Sequence, residues 1–299
     1  MLKTSVNTAL RWHRPLVILG IAMAALVPVT LIGMLVDDRV LVGAPIWTKP
    51  FKFAVSLGTY AVSLAWFLTF LNRGRRIGWW AGTAMAVALG VEMVAILVQV
   101  LRGKRSHFNI ETQFDSALYS FMGQGIIVLW VAHAVIALLL LWTRFDNRAL
   151  AWAIRLGLAI SLLGLTLGTL MTQPQPGQTG KSGTVGAHSV GAPDGGEHLP
   201  VTGWSTEVGD LRVPHFVGIH ALQAIPVLVA LFGRRADARL AWVLSGSYFG
   251  LFALTTWQAL RGQPVTDPDA LTLLAFAALA ALTVVAVRLA ALPRSPQGV

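Results

Sequence analysis

The densest run of ionisable and hydrogen-bonding side chains in this sequence is Gly209-Asp210-Leu211-Arg212-Val213-Pro214-His215-Phe216-Val217-Gly218-Ile219-His220-Ala221-Leu222-Gln223. Pro214 fits the first turn of a helix, where its missing N–H costs nothing. His220 and Gln223, three residues apart, share a helical face. His215 and His220 are five apart, about 140° around a helix, and so are poorly placed to chelate one metal as an i, i+4 pair would. Asp210 and Arg212 stand just before that helix.

A second polar run, residues 102–115, holds Arg102, Lys104, Arg105, His107, Asn109, Glu111 and Asp115; ion pairing within the loop is its simplest role. Lys49 and Lys52 lie in the aromatic segment Trp47-Thr48-Lys49-Pro50-Phe51-Lys52-Phe53 and suit either snorkelling to headgroups or a cationic binding wall. Glu92 is the one acid inside an apolar span, where an ionisable group is costly enough to be a functional candidate. Gln99 and Arg102 follow on nearly the same face, so the three predict a polar stripe descending from the loop. Gln258 and Arg261 repeat its upper part, with Leu251 where Glu92 would stand.

Five of the seven histidines (His107, His188, His198, His215, His220) fall on or beside polar connections. That clustering suggests a metal or haem, with His215, His220 and His107 as ligands. His133, deeper in a span, is expected to make a hydrogen bond within the bundle. Cysteine is absent, which removes disulfides, thiol nucleophiles and Cys-based metal sites. There is no Walker A loop, H-E-x-x-H or nucleophile elbow.

The elements that must position these residues are membrane helices. Of 299 residues, 55% are hydrophobic and 12% charged, about half the charge of a soluble domain. The net charge of +10 comes from basic residues that punctuate apolar spans, which argues against nucleic acid as a partner and for a lipid bilayer. Eight stretches have the ~20 apolar residues a bilayer requires: 15–35, 51–71, 79–101, 116–142, 150–171, 215–232, 240–260 and 270–291. Ala22-Met23-Ala24 is a faint cleavage-like triplet, but the first stretch reads as a retained helix.

With the N-terminus inside, the cytoplasmic set is Lys3, Arg11, Arg14, Arg73, Arg75, Arg76, Arg144, Arg148, Arg155, Arg234, Arg235, Arg239, Arg288 and Arg294. These fourteen basic residues with two acidic ones, Asp146 and Asp237, give +12 inside. Nine basic and ten acidic residues give −1 outside. Trp12, Trp79, Trp80, Trp142, Trp152 and Trp242 fall at the predicted cytoplasmic ends, as interfacial belts do. Both termini are therefore expected in the cytoplasm.

Landmarks recur in order. Leu19-Gly20-Ile21-Ala22 returns as Leu156-Gly157-Leu158-Ala159, Val42-Gly43-Ala44-Pro45 as Val190-Gly191-Ala192-Pro193, and the Gln99 to Gly103 run as Gln258-Ala259-Leu260-Arg261-Gly262. The expectation is an all-α integral membrane fold of two parallel four-helix repeats, 1–145 and 146–299, related by an axis along the membrane normal. The second repeat carries a long outer loop, 172–214. Its first part, Gln173 to Gly183, reads as a flexible linker. Its second part, with Leu199, Val201 and Trp204, reads as an ordered lid.

The 209–223 stretch and Arg105-Ser106-His107-Phe108-Asn109 resemble a family of uncharacterised bacterial multi-pass membrane proteins over most of the chain. The resemblance implies a bacterial inner-membrane setting and carries no catalytic assignment. Three functions remain open from the residues. One is an outer vestibule, lined by Lys49, Lys52, Arg102, His107, Asp210, Arg212, His215 and His220, that binds or transports a small polar or anionic ligand. Another is a metal- or haem-dependent enzyme or redox protein with Glu92 as proton carrier. The last is a subunit whose outer loops contact a protein partner.

Overall fold

Residues 12–178 and 183–291 are described by a computed structural model; Lys3, Arg11 and Arg294 of the basic set lie outside the described residues. Among the described residues are nine helices: α1 (Arg14–Val36), α2 (Thr48–Leu68), α3 (Arg75–Arg102), α4 (Gln113–Leu141), α5 (Arg148–Met171), α6 (Arg212–Ile219), α7 (Ala221–Leu231), α8 (Ala238–Leu260) and α9 (Ala270–Ala291). Seven are long and apolar enough to cross a membrane alone, and α6 with α7 makes an eighth span bent by 54°. The protein is an all-helical, multi-pass membrane protein.

The sixth span is where the expected continuous helix is corrected. It starts at Arg212, three residues early, and breaks at His220. Ser161 Oγ on α5 donates to the Ile219 carbonyl at 2.9 Å, supplying a partner for an acceptor next to the break; a side chain inserted into the ladder is a recognised cause of such bends. Just before it, a Cβ on Gly164 would come 2.5 Å from the Gly218 carbonyl carbon. Only glycines allow α5 and α6 to approach that closely.

Two apolar cores share α5. One contains Leu16, Met23, Leu64, Met85, Leu129 and Ile136 from α1 to α4, with Ile154 and Leu158 of α5. The other joins Ala149, Ala153 and Ile160 of α5 to Ile225 and Val229 of α7 and Leu240 and Leu244 of α8. Pairings repeat: α1 packs on α2 and α3, α3 on α4; α5 packs on α6, α7 and α8, and α8 on α9. α4 meets α5 between the two groups, and α2 touches α7.

The two Gln-x-Leu-Arg-Gly runs build the same helix end. Gln99 Nε2 donates to the Arg105 carbonyl (3.0 Å) and Gln258 Nε2 to the Pro264 carbonyl (2.8 Å), six residues on in each case. Gly103 and Gly262 both take positive φ, 69° and 72°, as the left-handed residue closing a helix requires. Arg102 then pairs with Asp115 (2.5 Å) and Arg261 with Asp269 (2.6 Å) at the start of the following helix.

At this end of the bundle β1 (Val40–Leu41) pairs with β2 (Ala44–Pro45), and β3 (Ser189–Val190) with β4 (Gly209–Asp210), both antiparallel. The expected linker is partly folded: Gly186 N–H donates to Gln178 Oε1 (2.7 Å) and Gln178 Nε2 to the Gly186 carbonyl (2.9 Å). Residues 179–182 of that linker lie outside the described residues. Of the expected lid, Trp204 packs edge-on against Phe216, centroids 6.5 Å apart, while Val201 is exposed.

Candidate functional site

A cavity of about 770 Å³ opens at the loop-rich end, between α2, α3 and α4 on one side and α5, α6 and residues 188–208 on the other. Of the residues singled out by sequence, Lys49, Lys52, Glu92, Arg105, His107, Arg212 and His215 line it.

At its heart is a chain of three groups. Lys49 Nζ lies 2.9 Å from His107 Nδ1, and His107 Nε2 lies 3.1 Å from Glu92 Oε1. With Lys49 donating, Nδ1 accepts and the ring proton sits on Nε2, facing the carboxyl. Burial, then the Lys49 charge, push the His107 pKa down, against the pull of Glu92. Neutral His107 is thus the bridge between a cation and an acid. Glu92 is only 3% exposed. Its Oε1 is within ion-pair distance of the imidazole but outside hydrogen-bond geometry, which leaves a buried carboxyl oxygen able to take a donor.

The remaining cations differ in how fully they are engaged. Arg212 is closed on Asp210, which is fully buried, through Nη2–Oδ2 at 2.6 Å, and it also donates to the Gly203 carbonyl. Lys52 has one acceptor, the Thr202 carbonyl at 2.6 Å. Arg105 makes no side-chain hydrogen bond or ion pair among the described residues, its carbonyl alone serving as acceptor for Gln99 and Asn109. Both lysines line the cavity.

The histidines do not converge. His215 Nδ1 donates to the Gly164 carbonyl (2.8 Å), His220 bonds Ser56 (2.9 Å) and Gln223 (3.3 Å), and His107 is held as above. Among the described residues no three His, Asp or Glu side chains are grouped to hold a metal ion, so the proposed set His215, His220 and His107 is dispersed. His133 accepts from Tyr60 and donates to the Leu158 carbonyl, the bundle hydrogen bond expected of it.

The predicted Glu92–Gln99–Arg102 stripe is split. Gln99 and Arg102 turn to Asp115, at 2.8 and 2.5 Å, leaving Glu92 to His107. Arg102, Asn109, Asp210, His220, Gln223, Gln258 and Arg261 likewise stand outside the cavity lining. Asn109 braces the loop, donating to the Arg105 carbonyl and accepting from Glu111 N–H, both at 3.0 Å. Lys104 pairs with Glu111 at 2.6 Å, the internal pairing expected of that loop.

Sequence reasoning missed a clasp in the cavity wall. His188 Nδ1 donates to Asp194 Oδ2 at 2.7 Å, and the amides of His188 and Ser189 donate to Oδ1 at 3.0 and 2.9 Å. Burial pushes His188 down to about 4, against the pull of Asp194. Burial also works to raise Asp194, but the His188 bond and the amides more than offset it and hold the carboxylate well below its usual range. The available signal was a His and an Asp six apart flanking Val190-Gly191-Ala192-Pro193, a turn able to fold one onto the other. Set against protein-family models, curated proteins and solved structures, the chain matches none.

Proposed function

We propose that this is a bacterial inner-membrane protein whose loop-rich end faces the non-cytoplasmic side, with both termini inside, and that the cavity is a vestibule that binds or transports a small polar or anionic ligand. One observation carries the reading: cations from three separate segments line one cavity, and Lys49, Lys52 and Arg105 among them have no carboxylate partner among the described residues. Burying cations is costly unless something pairs with them. An anion fits that deficit, and Glu92 across the cavity is free to accept a donor from the same ligand. The orientation rests on the +12 against −1 charge balance.

The two groups of helices are read as a duplication with parallel halves. Support comes from the repeated Gln–Arg–Gly helix ends, the repeated pairings, and a contact at the seam. Ser56 stands six residues after Pro50 and His220 six after Pro214, and they bond each other at 2.9 Å. Equivalent residues meet in this way near a two-fold axis.

Thermal unfolding of the purified protein with sn-glycerol 3-phosphate or inorganic phosphate tests the binding. Stabilisation that is lost in Lys52→Ala and Arg105→Ala but retained in Arg102→Ala is expected, because Arg102 is spent on Asp115. Wild type unmoved by either anion would overturn the reading. The cysteine-free chain allows a direct check of side: Val201→Cys, 57% exposed, should react with an impermeant maleimide in intact cells, and reaction only after lysis reverses the orientation.

A further inference from the structure

The cavity is larger and more apolar than a small anion needs. At about 770 Å³ it lies high in the ~300–1,000 Å³ range of small-molecule sites. Its lining runs from Thr48 to Tyr60 along α2, about 18 Å at 1.5 Å per residue. The basic groups Lys49, Lys52, Arg105 and Arg212 stand toward the loop-rich end, with Glu197 and Glu207 of the 188–208 wall, whereas Leu57, Leu89, Met122, Leu129, Leu165 and Ile219 line it too. The site is itself amphipathic.

It also reaches around α4. Lining residues on this helix run from Leu129 through Met122 and Gly123 to Gln124, an arc of about 220° at ~100° per residue. A helix that merely walls a closed chamber presents one face. The lining that turns the corner meets Leu165 and Thr169 of α5 and Thr172 just beyond its end. Below this level the α4–α5 seam is tied by Trp130 Nε1 donating to Thr166 Oγ1 and by His133 donating to the Leu158 carbonyl, both at 2.9 Å. Above Trp130 a glycine opens the seam: a Cβ on Gly123 would meet no atom within 4 Å. Gly123 is ten residues into α4, about 15 Å along it, so the opening lies at the depth of the hydrocarbon.

Resting on the vestibule reading above, we propose that the upper α4–α5 seam is a lateral portal and that the ligand is an anionic glycerophospholipid, its phosphate against Lys52 and Arg105 and its acyl chains passing out beside Gly123 and Ile127 into the bilayer. Charge complementarity selects an anionic head over a zwitterionic one. The apolar floor and side opening select a lipid over the free phosphate ester.

Native mass spectrometry of the full-length protein, released from nanodiscs of mixed phosphatidylglycerol and phosphatidylcholine, tests this beside the glycerol phosphate titration. Wild type should retain phosphatidylglycerol in preference to phosphatidylcholine. Lys52→Ala should lose it through the head, and Gly123→Trp through the portal. Val128→Trp, the same added bulk on the arc of α4 that does not line the cavity, should keep it. Should Gly123→Trp fail to fold, Ile127→Trp, at a side chain already 65% exposed, takes its place. A wild type that responds to glycerol phosphate but retains no phosphatidylglycerol, or a portal variant that retains it as Val128→Trp does, overturns the lipid portal and leaves the vestibule standing. Response to neither probe removes both.

Discussion

Helices α1–α4 and α5–α9 open on the same note and then diverge. α2 and α6 each begin at the loop-rich end with a proline in the first turn, Pro50 and Pro214. Yet α2 runs 21 residues unbroken, while its positional counterpart breaks at His220 and resumes as α7. The unbroken helix can hold Lys49, Lys52, Ser56 and Tyr60 in one line down the cavity. The broken one delivers Arg212 and His215 to the cavity, then turns away, so that Ala221, Ile225 and Val229 of α7 serve the core. In the proposed duplication, one copy kept a rail and the other gained a hinge.

The helix ends that follow sharpen the contrast, because they share a design but differ in burial. Asp115 is 0% exposed and accepts from Gln99, Arg102 and the hydroxyl of Thr112, the residue that caps α4. Asp269, which holds Arg261 and the Thr272 amide, is 39% exposed. Asp115→Ala should therefore cost about 3 kcal/mol, the scale of removing one partner from a buried pair, since it strands the buried Gln99 amide and the Arg102 guanidinium together. Asp269→Ala should barely move the unfolding midpoint, because solvent replaces what it loses. Thermal unfolding in one detergent compares them directly. Equal losses would mean that the two ends are interchangeable and the asymmetry lies elsewhere.

The spans were legible because bilayer thickness acts on every residue of a helix at once; one slip in a boundary hardly alters twenty apolar side chains. The turn built twice by Gln99 and Gln258 was legible for a similar reason, as glutamine, arginine and glycine at fixed spacing have few other uses at a helix end. The break at His220 was not. It depends on Ser161, 59 residues earlier, standing opposite the Ile219 carbonyl, and no local pattern announces that. The Glu92 stripe failed on the same ground. Helical spacing places Glu92, Gln99 and Arg102 on one face, but whether they act together depends on Asp115 and His107 arriving from a different segment and dividing them. The cavity was half visible: its charged residues are conspicuous in an apolar sequence, whereas His188 and Asp194 look like loop residues until a fold brings them to the wall.

That clasp offers the subtler way to probe the difference between the halves, since the paired Val-Gly-Ala-Pro runs have different surroundings. In the first half, Val42 and Gly43 are the turn of the β1–β2 hairpin, with φ of 52° and 79°. In the second, Val190 leads from β3 past Gly191 to Asp194, which reaches back to His188. The second copy therefore closes on a histidine, where the first hairpin is flanked by a carboxylate, Asp37, that accepts from Arg39 and Trp47. His188 is lowered by burial from 6.5 to about 4, so between these values the unfolded chain binds a proton that the folded chain does not. Stability must rise with pH across that window and be lost as pH falls from 6.5 toward 4. The size is on the order of 3 kcal/mol, because each pH unit between the unfolded and folded values is worth about 1.4 kcal/mol. Asp194 acts in the same direction, being held below its usual range in the fold, but its share is lost at lower pH. His188→Gln keeps a side-chain amide donor for Asp194 and removes the proton uptake, so its unfolding midpoint should fall less than that of wild type between pH 6.5 and 4.5. Wild type and variant melting in parallel across that range would show that the β3–β4 segment is not held by a neutral His188, and the clasp could then be no more sensitive to pH than the hairpin opposite.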